Sequence, residues 1–72
     1  MDEAITELRE ALRLNADNLL AHSNLGDALR QKGDWAGAAA ELREALRLAE
    51  LSHVANQEVE RIRKMLADVE KP

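Results

Sequence analysis

Apolar residues recur at steps of three and four positions along most of the chain, which is the spacing that places side chains on one face of a helix. The recurrence is interrupted at Asn15–Asn18, at Gly33 and, less sharply, near Ser52. Asn, Asp, Gly and Ser favour turns and helix ends over helix interiors. The pattern therefore predicts an all-α fold in a single domain, with four helices at about residues 2–14, 19–32, 35–49 and 52–70.

The first and third predicted helices share an octapeptide. Glu7–Leu14 returns unchanged as Glu41–Leu48, 34 positions later. An internal period of this length is typical of helical repeat arrays, in which each unit buries its apolar face against its neighbours. The fourth helix has a stripe of its own, formed by Leu51, Ala55, Val59, Ile62, Leu66 and Val69.

Helix ends and one internal glycine carry further local signals. Gly33 is a typical helix stop, and Asp34 and Ser52 are predicted to be the N-caps of the third and fourth helices. Gly26 lies inside the second helix, where it costs roughly 1 kcal/mol relative to Ala. This cost predicts a compensating close approach by another helix at Gly26.

The middle of the chain resembles the tetratricopeptide repeat, a helix-turn-helix unit of about 34 residues. The matching positions are Leu25-Gly26, Leu29, Gly33-Asp34-Trp35, Ala38, Leu42 and Ala45-Leu46. The resemblance implies an antiparallel helix-turn-helix repeat fold, with one full repeat from about Leu19 to Ser52. It also implies that Trp35 packs in the wedge between helices. Two departures are Leu42, where the family prefers an aromatic residue, and the missing proline near Glu50.

The flanking helices have different expected roles. The first helix corresponds to the second helix of an earlier repeat, so Ala4, Ile5 and Leu8 are expected to lack their usual partner helix and to be exposed. The last helix is expected to be a terminal cap, because Glu60 and Arg63 stand 34 positions after Gly26 and Leu29. Large charged residues there give the polar outer face that terminal repeats need. Glu60 and Lys64 are also predicted to form an i, i+4 ion pair.

Composition excludes several classes of function. The net charge is −4, which argues against nucleic acid as a partner. The chain has no cysteine, so it has neither disulfides nor a thiolate metal site. No apolar run approaches the length of about 18 residues that a membrane span needs, and no targeting signal is seen. The prediction is a soluble, cytoplasmic protein without a membrane partner.

Candidate catalytic chemistry is weak. His22 and His53 lie in different predicted helices and match no metal-binding spacing. Ser23 and Ser52 have no accompanying His/Asp constellation, and no glycine-rich phosphate loop exists. We expect a non-enzymatic protein with no catalytic residues, no metal site and no cofactor.

The resemblance implies a protein- or peptide-binding module whose first helices line a concave groove. Three basic groove residues, Arg30, Arg61 and Lys64, are suited to an acidic peptide or a C-terminal carboxylate. We favour the simpler explanation that they are ordinary solvated charges. Ser23 and Asp27 stand where some relatives carry the Lys and Asn that clamp a chaperone's C-terminal carboxylate, so that activity is not assigned. The groove candidates are Leu20, Ser23, Asp27, Arg30, Gln31, Val54, Gln57, Arg61 and Lys64.

Two other hypotheses stay open. The first is a structural role as a homo-oligomer, formed through the N-terminal half repeat or through a swapped C-terminal helix. Swapping requires the third and fourth helices to fuse into one rod, and the residues from Leu46 to Leu51 are all good helix formers. We favour a turn near Ser52. The second is an excised or designed repeat fragment without a ligand of its own.

Overall fold

The computed structural model describes residues 2–53 and 56–70, and this part of the chain forms four α-helices. Each helix packs against the next in the sequence, and α4 also contacts α2. Helices joined by short turns in this way form antiparallel pairs. The predicted all-α, four-helix repeat fold is confirmed. The helices are α1 (Asp2–Leu14), α2 (Leu19–Lys32), α3 (Trp35–Leu51) and α4 (Asn56–Val69).

Side-chain caps and a glycine fix the first two joints. The Asn18 side chain accepts a hydrogen bond from the backbone N–H of Ala21 at 3.0 Å, and the Asp34 side chain accepts one from Gly37 at 2.9 Å. Gly33 ends α2 with φ at +91°, a left-handed conformation that costs glycine nothing. These local interactions place α2 and α3 side by side with only two residues between them.

The third joint differs from its prediction. α3 continues to Leu51, and the Ser52 N–H donates to the Leu48 carbonyl at 2.9 Å, so Ser52 ends α3 and does not cap α4. Prediction of Ser52 as an N-cap was therefore wrong. His53 follows with φ at +54°, and α4 begins only at Asn56. α4 then packs against α3, so the structure contains the turn and not the fused rod.

The core lies mainly where α3 meets α2 and α4. Leu25, Leu42 and Ile62 are its largest fully buried hydrophobic side chains. A Cβ added at Gly26 would lie 2.7 Å from Cγ and Cδ2 of Leu42 and 3.4 Å from the carbonyl oxygen of Ala38. The predicted close approach at Gly26 is confirmed, and its partner is α3.

Three packing predictions fail. Trp35, the first residue of α3, is 53% exposed and does not fill the wedge between the helices. Leu51 is exposed, because it ends α3 and does not join the stripe of α4. Ile5, expected to be exposed without its usual partner helix, is buried in the core, because α1 packs against α2. Ala55, another predicted stripe residue, lies outside the described residues.

Candidate functional site

A surface cleft lies between α2 and α4. Its first part has a volume of about 530 Å³ and its second about 380 Å³, and the two parts share Arg30, Lys64 and Met65. We call this continuous surface the α2–α4 cleft. The residues that line it are Asp27, Arg30, Gln57, Glu60, Arg61, Lys64, Met65, Ala67 and Asp68.

The positions of these side chains follow from helix geometry. Both α2 and α4 contact α3, which leaves their polar sides to form the cleft. Asp27 and Arg30 are three residues apart on α2, and Arg61 and Lys64 are three apart on α4, so each pair shares one helix face. The cleft is therefore built on regular helices and not on a loop.

The structure brings together more than half of the predicted groove residues. It also adds cleft residues that the sequence does not predict there, among them Glu60, expected on the polar outer face of the cap, and Met65. Asp68 lies four residues after Lys64, a spacing that could have revealed it. The predicted residues that line the cleft are Asp27, Arg30, Gln57, Arg61 and Lys64.

The remaining predicted groove residues lie elsewhere. Ser23 is fully buried, and its Oγ accepts a hydrogen bond from Arg61 Nη1 at 3.2 Å, so it positions Arg61 from beneath. Gln31 is exposed and donates to Asp27 Oδ2 at 3.2 Å. Leu20 is exposed and does not line the cleft. Val54 lies outside the described residues.

Arg30 is neutralised within the cleft. Its Nη2 lies 2.6 Å from Asp27 Oδ1, and its Nη1 lies 3.3 Å from Asp68 Oδ2. The hydrogen bond to Asp27 raises the pKa of Arg30 further above its ordinary value, and the charge of Asp68 adds to this effect. The buried Nε of Arg30 has no acceptor within the described part of the chain. A ligand carboxylate must therefore compete with two protein carboxylates for Arg30.

Lys64 has a different environment from the two arginines. Arg61 Nη1 forms an ion pair with Glu58 at 2.9 Å, whereas Lys64 is exposed and forms no ion pair with a described residue. The predicted pair between Glu60 and Lys64 does not occur. Lys64 is thus a cation that a ligand can bind without displacing a described partner.

His22 has a structural position in α2. It is buried, and its Nδ1 lies 2.7 Å from Glu41 Oε1 in α3. Its Nε2 lies 2.7 Å from the carbonyl oxygen of Ala16 in the turn before α2. His22 therefore links three parts of the fold. Among the described residues, no group of three or more His, Asp or Glu side chains could hold a metal ion.

Comparison with known families identifies the fold. The family model of the tetratricopeptide repeat matches residues 1–53. The chain belongs to the tetratricopeptide repeat family. Tetratricopeptide repeats are generally protein-interaction modules, and the family is typically non-enzymatic. No curated protein and no solved structure matches this chain.

The tetratricopeptide match ends before α4, which begins at Asn56. The α2 side of the cleft therefore lies within the matched repeat, and the α4 side lies beyond it. Lys64 and Met65 lie on α4 and therefore outside the matched residues. Within the described residues, no helix is long and apolar enough to cross a membrane.

Proposed function

We propose that this chain is a single non-catalytic domain whose α2–α4 cleft binds a short segment of another protein. The observation that carries the proposal is the position of Lys64, an exposed cation without a described ion-pair partner, next to half-buried Met65 at the centre of the cleft. Family membership supports protein binding in general, and the cleft supplies the surface.

Lys64 and Met65 together favour a particular kind of segment. An ammonium group attracts a carboxylate, and methionine is a flexible apolar side chain that adapts to different partners. A ligand that carries a carboxylate beside an aliphatic residue would contact both. The proposed ligand is therefore a peptide with an acidic group, such as a C-terminal carboxylate, next to an apolar side chain.

The carboxylates of the cleft limit how acidic this ligand is. Asp27, Glu60 and Asp68 line the same surface as Lys64. Because like charges at close range repel, a polyacidic segment should bind less well than one with a single carboxylate. Only two helices contribute contact area, so the expected dissociation constant is about micromolar to millimolar.

The test is an NMR titration of ¹⁵N-labelled protein with two short peptides ending in Leu-Leu, one with a free C-terminal carboxylate and one amidated. The free carboxylate should shift the amide signals of Gln57, Arg61 and Met65, and amidation should weaken binding. Lys64→Gln should also weaken binding, by about threefold to tenfold, since an exposed charge contact contributes about 1 kcal/mol.

A matched control for charge is Arg9→Gln, which removes one positive charge from exposed Arg9 on α1. It should leave binding unchanged. Equal loss in both variants would mean that the effect is non-specific electrostatics. Shifts confined to α1 would place the ligand elsewhere and contradict the proposal.

Self-assembly by exchange of α4 has less support. α4 contributes Ile62, which is fully buried, and Val69 to the core of its own chain. Because these contacts form within one molecule, they avoid the entropic cost of association. We therefore place the swapped dimer behind peptide binding.

A further inference from the structure

The two copies of the octapeptide expose different amounts of the same side chains. In α3, Leu42 and Ala45 are fully buried and Leu48 is 7% exposed. In α1, the corresponding Leu8 and Ala11 are only half-buried, and Leu14 is 72% exposed. Among the described helices α1 contacts α2 alone, whereas α3 is covered by both α2 and α4. We call the exposed and half-buried residues on this side of the helix the α1 outer face, although Leu8 also packs partly against the core: Ala4, Glu7, Leu8, Ala11 and Leu14.

The contacts that the corresponding residues of α3 make with α2 indicate what kind of helix would pack on the α1 outer face. α2 brings Gly26 against Leu42, where even a Cβ would come within 2.7 Å of the leucine side chain. α2 also places His22 Nδ1 2.7 Å from Glu41 Oε1. Glu7, which corresponds to Glu41, forms no ion pair with a described residue. α1 therefore carries, in Glu7 and Leu8, the same two residue types with which α3 contacts the histidine and the glycine of α2.

We propose that the α1 outer face binds, from another polypeptide, a helix that carries a histidine four residues before a glycine. The histidine meets Glu7 as His22 meets Glu41, and the glycine lets Leu8 approach closely as Gly26 admits Leu42. Charge complementarity supports this partner, because Glu3 is also exposed beside Glu7. Glu10 adds little, since Arg13 already pairs with it. The surface shares no residue with the α2–α4 cleft, so its test is independent of the proposed function.

A second copy of the chain fits less well. Its α4 carries Glu60 and Arg63 at the positions that correspond to Gly26 and Leu29, so charged side chains would meet Leu8. Its α1 would bring another Glu7 toward the first, which like-charge repulsion disfavours. Its α2 is already packed against its own α3. A free helix with the chemistry of α2 is the occupant that the contacts favour.

The probe is a synthetic peptide with the sequence of residues 18–33, capped at both ends, titrated into the ¹⁵N-labelled full chain. The amide signals of Ala4, Glu7, Leu8 and Ala11 should shift. A peptide with Gly26→Leu should bind about fivefold or more weakly, because its bulk meets Leu8. Leucine is the better helix former, so lost helicity cannot explain that weakening.

Protein variants provide matched controls. Ala4→Glu should weaken binding of the peptide about fivefold or more, because it places a larger, charged side chain on the α1 outer face. Ala40→Glu makes the same change at an exposed position of α3 and should have no effect. Both positions are exposed, so both variants keep the fold.

Four outcomes would overturn the proposal. They are no shift at millimolar peptide, shifts confined to α3, equal binding of the Gly26→Leu peptide, and α1 shifts that follow protein concentration without peptide. The last outcome would mean that a second copy covers the face.

Discussion

The octapeptides at residues 7–14 and 41–48 differ in their neighbours and agree in their local contacts. Arg13 donates to Glu10, and Arg47 donates to Glu44, in each case across three residues of one helix. The hydrogen bond from the arginine lowers the pKa of the glutamate in both copies. Leu48 is nevertheless buried, while Leu14 is almost three-quarters exposed. The sequence of a segment sets its local pairs, and its neighbours set its burial.

The two helices also end differently because different residues follow the octapeptides. After Leu14, the Asn15 side chain accepts a hydrogen bond from the Asp17 N–H at 3.1 Å, which stabilises a turn. After Leu48, the chain continues with Ala49 and Glu50, and α3 runs on to Leu51. Helix length is therefore decided outside the repeated segment.

The largest expected difference between the copies concerns their first leucine, which is Leu8 in α1 and Leu42 in α3. Leu42→Ala should destabilise the fold by about 2–5 kcal/mol, because it leaves a cavity in a fully buried site. Leu8→Ala should cost less than about half as much, since Leu8 is only half-buried. Urea denaturation followed by circular dichroism gives both values. Equal losses would show that α1 is as well covered in solution as α3.

The next prediction concerns the contact that distinguishes α3 from α1. Gly26→Leu should lower the free energy of unfolding by about 1–2 kcal/mol, because overpacking against Leu42 exceeds the gain in helix propensity. Glu60→Leu, at the corresponding exposed position of α4, should change it by less than about 0.5 kcal/mol. The urea midpoint of the Gly26→Leu variant should be lower than that of the Glu60→Leu variant. Coincident midpoints would mean that α2 does not approach α3 closely at Gly26.

The smallest effect should come from the shared Glu–Arg pairs. Because their folded pKa values are lowered, Glu10 and Glu44 stabilise the fold at neutral pH, and this contribution is lost as pH falls below their ordinary value of 4.5. For Glu44, Arg47 causes most of the lowering of the pKa, and the charge of His22 makes a smaller contribution in the same direction. Glu10→Gln and Glu44→Gln should each slightly flatten the fall in stability between pH 5 and about 3.

These two variants also test whether the glutamate–arginine contact is equivalent in the two copies of the octapeptide. If Glu44→Gln alone alters the pH dependence, the two arginine pairs are not equivalent, and the resemblance of the copies is limited to their sequence. Melting temperatures measured at pH steps in high and low salt test this, because salt should weaken both pairs, and should weaken the pair of exposed Glu10 more than that of half-buried Glu44.

Much of the fold could be predicted because periodic positions and turn residues act locally. The stripes predicted all four helices, and the bounds of α1 and α2 agree with the structure. Gly26 predicted a close helix approach without any knowledge of its partner. The start of α4 was missed because Ser52 can end one helix or begin another, and only the bond to Leu48 distinguishes these roles.

The cleft was harder to predict, because its properties depend on contacts between helices. The repeat pattern placed Arg30, Arg61 and Lys64 on one surface. It could not show that Asp68 of α4 would reach Arg30 of α2, since these residues are far apart in sequence. Three basic residues therefore suggested a more positive groove than the structure contains.

The exposure of Trp35 determines what fluorescence and near-ultraviolet circular dichroism can detect in this molecule. The chain has no Tyr or Phe, so Trp35 is its sole aromatic side chain, and about half of its surface already contacts solvent. Its emission should be red-shifted in the folded protein and should change little on unfolding. The aliphatic core is consequently silent in fluorescence and in near-ultraviolet circular dichroism. A flat fluorescence trace during denaturation would reflect the position of one side chain at the start of α3 and would carry no information about cooperativity.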